Sequence, residues 1–166
     1  KQSYDNVQVK SFISMAVSAD GKELYTVQNP VRKLLDRFET MEPRLAVFNT
    51  DDGLNAKPVR TFPAPRRLTV MAGNKRGGVY VGGHDIFEVD PKTGKFDMAI
   101  ANRSWSRPTY SPPDVLAFWP IGTQSDEFML MYTAAVFTDE QQEELADFVW
   151  GASRINLTTG EKSIAD

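Results

Sequence analysis

The chain contains no cysteine and a single histidine, His84. Without cysteine it can form no disulfide, no thiolate metal site, no cysteine nucleophile and no covalent haem attachment of its own. A lone histidine cannot build a multi-histidine metal site, and no serine and aspartate pattern around it is typical of a hydrolase. These absences predict a chain that is not catalytic alone and binds no cofactor by itself, with His84 as a structural or surface residue.

Long apolar runs and an excess of basic charge are also lacking. No run approaches the ~20 apolar residues that a membrane-spanning helix requires. The net charge of −3 and the isoelectric point near 5.3 give no broad positive field for nucleic acid or anionic lipid. The acidic residues between 139 and 147 lack the ligand spacing of a calcium loop and are interpreted as a solvated face. The sequence therefore predicts no nucleic-acid partner, no membrane span and no metal site.

What the chain does contain is a repeated hairpin pattern. Asp85–Lys95, with the sequence DIFEVDPKTGK, alternates apolar and polar residues and then enters a turn that Pro91 and Gly94 favour. Similar stretches occur at Arg44–Leu54 and Ser153–Lys162. A sequence pattern that recurs at a spacing of tens of residues is typical of repeat proteins. The three stretches therefore predict one structural unit that is repeated three times.

Each repeated unit contains four short strand patterns. We predict an all-β fold, a β-propeller of about three four-stranded antiparallel blades that form an incomplete arc. The blades span roughly residues 11–63, 66–101 and 114–166 of a single partial domain, 1–166. A β-sandwich is the alternative, since it also has many short strands. Two insertions have features that are compatible with a helix: Val31–Met41, with Leu34, Leu35 and Phe38 at helical spacing, and Thr138–Asp147, whose threonine cap and early acids favour the start of a short helix.

Three blades are too few for a closed propeller, which typically has four to eight. The outer faces of the first and last blades would then be exposed to water, and their edge strands would be open. We therefore expect the chain to be a piece of a longer propeller or to pair with another chain.

The stretch 102–119, NRSWSRPTYSPPDVLAFW, departs from the blade pattern. Its prolines stiffen the loop 102–113 between two blades, and its aromatic side chains beside arginines are typical of an interface or an apolar ligand wall. The candidate residues for a substrate pocket or a subunit interface are Trp105, Tyr110, Asp114, Phe118 and Trp119. The alternative, left open, is that Trp105 and Tyr110 only fill the space between two blades.

Four motifs, taken in order, resemble one known family. They are SADGK, RLAVFNTDDGLNAKPVRTFPAPR, DIFEVDPKTGK and SWSRPTYSPPDVLAFWP. Together they resemble the β subunit of bacterial quinohemoprotein amine dehydrogenase, from about Phe12 to the end of the chain. The turn DPKTGK is common among propellers, whereas the ordered series, with PDVL between Tyr110 and Trp119, is specific.

The resemblance implies a periplasmic, seven-bladed subunit joined to a di-haem α subunit with haem c and to a γ subunit that carries cysteine tryptophylquinone. Such an enzyme oxidises primary amines to aldehydes at the quinone, and the β chain is scaffold and part of the pocket wall. Three blades would correspond to the central part of that subunit. The runner-up hypothesis is a protein-interaction propeller with no redox role.

Overall fold

The computed structural model describes residues 7–65, 68–73, 77–101, 108–121 and 126–164. Within these ranges the chain is built from antiparallel β-strands, and its helical structure is one 3₁₀ segment, Thr50–Asn55. The strands are β1 Val7–Val17, β2 Glu23–Lys33, β3 Phe38–Thr40, β4 Arg44–Asn49, β5 Arg60–Pro63, β6 Leu68–Gly73, β7 Val79–Gly83, β8 Ile86–Asp90, β9 Lys95–Ile100, β10 Asp114–Pro120, β11 Glu127–Phe137, β12 Leu145–Asn156 and β13 Lys162–Ile164. The predicted all-β class is confirmed.

The described strands form three antiparallel sheets that follow one another along the chain. The first sheet has the order β1-β2-β4-β5, with β3 paired to β2; the second is β6-β7-β8-β9 and the third β10-β11-β12-β13. Neighbours in sequence are thus neighbours in space, as short hairpin connections favour. In the second unit, alternation predicts strands at Leu68–Met71, Val79–Val81, Asp85–Val89 and Phe96–Ile100, and each predicted end lies within two residues of β6 to β9. In the first unit, β1 and β2 extend well beyond the predicted strands Ile13–Val17 and Leu24–Val27.

The insertion Val31–Met41 is not helical, and that prediction was wrong. β2 continues through Val31 to Lys33, and β3 returns beside it, with Val31 opposite Thr40. The N–H of Leu34 donates to the carbonyl of Arg37 at 2.8 Å in the connecting turn. Leu35 is 90% exposed in this turn, so the apolar residues of the insertion do not form one buried face. Strand pairing satisfies the backbone hydrogen-bonding groups here.

The acidic insertion Thr138–Asp147 is a hairpin turn between β11 and β12, so the helix predicted there was also wrong. The carboxylate of Asp139 accepts hydrogen bonds from the N–H groups of Glu143 and Glu144, at 3.2 and 3.1 Å. These amides hold the pKa of Asp139 below its usual value. An aspartate that caps a helix bonds to amides two or three residues ahead, whereas this one closes a wider, reversing loop.

Two of the three repeated hairpins share one turn geometry. The N–H of Gly94 donates to the carbonyl of Asp90, and the N–H of Gly160 to that of Asn156, both at 2.8 Å. Both glycines have positive φ, 73° and 74°, which glycine adopts without a steric penalty. The connection after Asn49 differs, because it forms the 3₁₀ segment before β5.

The core consists of two layers, one on each face of the second sheet. One cluster joins the first and second sheets and the other joins the second and third. A bulge between Leu68 and Val70 lets these two residues face opposite clusters. The first strand of each sheet contacts the first strand of the next, β1 with β6 and β6 with β10.

We call the face of a sheet that packs on the following sheet its trailing face, and the opposite face its leading face.

The turn at the end of β8 is docked on the first sheet. Arg60 donates from Nη2 to Glu23 Oε1 at 2.6 Å and from Nε to the carbonyl of Pro91 at 3.3 Å. A Cβ on Gly94 would collide with the ring of Phe62, whereas one on Gly160 would meet nothing within 4 Å. The same turn is therefore covered in the second sheet and open in the third.

Candidate functional site

The candidate residues lie on and beside β10, in the third sheet. Tyr110 lies in the loop before the strand, Asp114 is its first residue, and Phe118 and Trp119 are near its end. Trp105 lies outside the described residues. The described part of the aromatic loop is residues 108–113.

This loop continues the pairing of β10 with β11. Tyr110 forms an isolated antiparallel bridge with Val136. The N–H of Ser111 donates to the carbonyl of Ala135, and the N–H of Ala135 donates to the hydroxyl of Ser111, both at 2.9 Å. Directly opposite residues share a face of a sheet, so the half-buried Tyr110 belongs, with Val136, to the leading face, which is the side turned toward the second sheet.

The turn between β11 and β12 holds the loop from the other side. Nε2 of Gln142 donates to the carbonyls of Pro108 and Tyr110, at 3.2 and 3.0 Å. Gln142 has φ of 59°, the one positive φ at a non-glycine residue among those described. A residue held in this region outside glycine costs free energy that surrounding contacts must offset. The two carbonyl contacts identify the acidic hairpin turn as a support for the aromatic loop.

Asp114 forms a contact between sheets that sequence reasoning missed. Its Oδ1 lies 3.4 Å from Nδ1 of His84, in the β7–β8 connection, with both side chains partly exposed. The pair is ionic only when the imidazole is protonated. Thirty positions separate the two residues, and no local pattern in the sequence brings them together. The interpretation of His84 as a structural or surface residue stays a prediction, and this partly exposed contact is consistent with it.

Phe118 and Trp119 point to opposite faces of the third sheet. Phe118 is 6% exposed and its ring lies 5.6 Å from that of Phe128 in the core between the second and third sheets. A Cβ on Gly82 would lie 3.1 Å from Phe118 Cε1, so the glycine makes room for the ring. Trp119 is 45% exposed on the trailing face. The two residues therefore cannot line one common surface of this sheet.

Trp119 belongs to a cluster of exposed large apolar side chains. Met131 is 44% exposed, Phe148 57% and Trp150 71%. The register places Trp119 opposite Met129, Ala152 opposite Met131, and Trp150 opposite Thr133, all on the trailing face. We call Trp119, Met131, Phe148 and Trp150 the aromatic face. Phe148 and Trp150 were not among the predicted site residues, although their alternation around Val149 is a signal in the sequence.

The edge of the aromatic face is charged. Arg154 and Glu127 form an ion pair between β12 and β11, and both are on the trailing face by the strand register. An apolar centre with a polar rim is typical of protein interfaces.

Among the described residues there is no group of three or more His, Cys, Asp or Glu side chains that could hold a metal ion. In the same part of the chain, no helix has the length and apolar character to cross a bilayer.

Comparison of the chain with protein-family models and with curated protein sequences found no match.

Proposed function

We propose that this chain is a non-catalytic propeller segment of the β subunit of a quinohemoprotein amine dehydrogenase, an enzyme that oxidises primary amines to aldehydes in the periplasm. The observation that carries the proposal is the ordered series of four sequence motifs, ending in SWSRPTYSPPDVLAFWP. The last motif includes β10 and the loop 108–113, where the chain departs from its repeated hairpin pattern.

The packing of the sheets supports a propeller arrangement. Propeller blades are consecutive antiparallel four-stranded sheets that cover one another, and each of the three sheets contains such a row of four strands, with β3 added to the first. The first strands contact one another in chain order, as inner strands around a common axis would. The second sheet is covered on both faces. A sandwich would instead pair two sheets over a single core.

The role of the chain in the enzyme would be scaffold and pocket wall. The chain has no cysteine, so haem c and the quinone would be carried by the α and γ subunits, and the quinone would supply the oxidation chemistry. The loop 108–113, fixed by Gln142, and the start of β10 would place Tyr110 and Asp114 at the contact with the γ subunit. A rigid wall of this kind excludes water from a reacting amine.

The aromatic face favours a second candidate function, a protein-interaction propeller without redox chemistry. Trp150 is 71% exposed, and tryptophan is enriched among the residues that dominate binding at protein interfaces. The two candidates differ in whether haem and quinone subunits bind.

An exchange experiment tests the proposal. Residues 12–164 replace the corresponding stretch of a complete amine dehydrogenase β subunit, which is co-expressed with its α and γ subunits. We expect an assembled complex that oxidises a primary amine. Tyr110→Ala in this hybrid should weaken assembly or amine turnover by about tenfold, or 1.4 kcal/mol, whereas the exposed Leu54→Ala, a control in the 3₁₀ segment, should not. A folded hybrid that binds neither subunit would overturn the proposal and favour the interaction propeller.

A further inference from the structure

The backbone at Gln142 has a conformation that usually selects glycine. Its φ is 59°, and the positive φ values in the turns after β8 and β12 belong to Gly94 and Gly160. A side chain in this region carries a steric penalty that glycine avoids. The turn between β11 and β12 would therefore accept glycine at this position, and the glutamine needs a reason outside the backbone.

The side chain of Gln142 is not needed to close its own turn. Thr138 donates to Glu144 twice, from its N–H to the carbonyl at 3.0 Å and from Oγ1 to Oε2 at 3.2 Å. The carboxylate of Asp139 accepts from the N–H groups of Glu143 and Glu144. Gln142 contributes its backbone N–H, which donates to the carbonyl of Asp139 at 3.3 Å. The side-chain amide is thus available for contacts outside the turn.

The loop 108–113 can donate few hydrogen bonds of its own. Three of its six residues are proline, at positions 108, 112 and 113, and proline has no N–H. Its carbonyls instead accept hydrogen bonds from the β11–β12 hairpin. Pro108 and Tyr110 accept from Nε2 of Gln142, at 3.2 and 3.0 Å, and Thr109 accepts from the N–H of Phe137 at 2.8 Å. Three successive carbonyls are thus bound by one hairpin, two of them through a single side chain.

We propose that Gln142 is a positioning residue whose side-chain amide fixes the backbone of the loop 108–113 and, with it, the placement of Tyr110. A primary amide has two N–H groups, one for each of the two carbonyls, whereas an ionised carboxylate has none. Fixing of the loop concerns this chain alone. Its effect on binding of the γ subunit rests on the proposed function.

Amide hydrogen exchange of the full chain tests the positioning. Gln142→Glu keeps the length of the side chain and removes both donors. The N–H groups of Phe137 and Ser111, which bind loop and strand to each other, should then exchange about tenfold faster, because local opening of the loop releases them. Gln141→Glu is the matched control, since it adds the same charge at the exposed neighbouring residue and should leave both rates unchanged.

A second pair of variants separates the amide from the backbone strain. Gln142→Gly and Gln142→Ala both remove the donors, so both should accelerate exchange at Phe137 and Ser111 to the same extent. Glycine also removes the penalty of the positive φ, which alanine keeps. Gln142→Gly should therefore unfold at a higher temperature than Gln142→Ala although its loop is equally loose. A role in overall stability alone would change loop exchange and unfolding temperature together.

Two results would overturn the positioning. One is unchanged exchange at Phe137 and Ser111 in Gln142→Glu and Gln142→Gly. The other is equal acceleration in Gln141→Glu, because charge in the turn would then be the cause.

The hybrid β subunit tests the consequence for the γ subunit. Gln142→Glu should weaken binding of the γ subunit about tenfold, and Gln141→Glu should not. Full binding by a hybrid whose loop exchanges faster would overturn the link between loop order and this contact. If the unsubstituted hybrid binds no γ subunit, the proposed function fails while the exchange result stands, so the two inferences fail separately.

Discussion

The second and third sheets have the same construction and different surroundings. Each is a four-stranded antiparallel meander whose third strand ends in the same glycine turn, at Gly94 and Gly160. Both faces of the second sheet are covered and its turn contacts Phe62 and Arg60, whereas the third sheet has one exposed face and a turn with open space around it. Similar local sequence gives similar local structure, and the neighbouring sheet decides which surface becomes core.

The largest expected effect is a difference in stability between two variants of β11, one on each face of the third sheet. Leu130 is fully buried and the adjacent Met131 is 44% exposed on the opposite face. Leu130→Ala should lower the free energy of unfolding by about 2–5 kcal/mol, because it leaves a cavity between the second and third sheets. Met131→Ala should change it by less than about 0.5 kcal/mol.

Denaturant unfolding, at a concentration where the chain is monomeric, measures both values. Equal losses for the two variants would mean that the trailing face of the third sheet is already covered.

The next effect compares the two glycine turns. Alanine at either position meets a positive φ, which costs about 1–2 kcal/mol. At Gly94 the added methyl would also collide with Phe62, and overpacking adds about 1–3 kcal/mol. Gly94→Ala should therefore be clearly more destabilising than Gly160→Ala in thermal unfolding. The double variant Gly94→Ala with Phe62→Gly, compared with Phe62→Gly alone, provides the control, since it removes both the ring and the Cβ that the methyl would meet. An undiminished penalty for Gly94→Ala in that background would contradict the docked turn.

The smallest effect concerns pH and the contact of the first sheet with the second. Burial, with the hydrogen bond to Glu23, raises the pKa of Tyr25 from 10.0 to about 12. A raised pKa favours the neutral phenol in the folded chain, so its stabilisation is complete below about pH 10 and is lost as the pH rises toward 12. The loss is at most about 1.4 kcal/mol per pH unit. Unfolding of Tyr25→Phe should lack this part of the alkaline decline; identical slopes in the two proteins would contradict it.

Glu23 titrates in the opposite direction. Burial raises its pKa, but the hydrogen bonds from Arg60 and Tyr25 outweigh burial and hold the pKa below its usual value. Its contribution to stability is therefore present above that usual value and is lost as the pH falls through the folded pKa. The carboxylate thus favours the docked turn through Arg60 at neutral pH.

Strand positions could be predicted from the sequence best where apolar residues alternate with polar ones and a glycine turn follows directly. The strands of the second sheet, from Leu68 to Ile100, were predicted within two residues of each observed end, because period-two burial and Gly94 fix strand and turn together. The helix predictions failed because the spacing of Leu34, Leu35 and Phe38 resembles a helix over three residues only. The segment pairs with β2 instead, and a short isolated helix is only marginally stable in water.

The candidate site was predicted less well, because it depends on contacts between sheets. Phe118 and Trp119 were predicted to belong to one site because they are adjacent in sequence. Adjacent residues of a strand point to opposite faces of the sheet, so Phe118 is buried in the core and Trp119 is exposed to solvent. The contact of His84 with Asp114 and the support of Tyr110 by Gln142 join residues about 30 positions apart. Contacts of this range follow from sheet packing, which periodicity does not reveal.

The most direct measurement of sheets stacked in one direction uses the absence of native cysteine. A Cβ on Gly73, at the end of β6, would lie 3.6 Å from the Cβ of Ala16 in β1, within the range that a disulfide spans. A chain with Ala16→Cys and Gly73→Cys is oxidised as a dilute monomer, and its free thiols are counted. Packing of the trailing face of the first sheet on the leading face of the second predicts an intramolecular disulfide in the folded chain. Two free thiols that persist in the folded, oxidised double variant would contradict it.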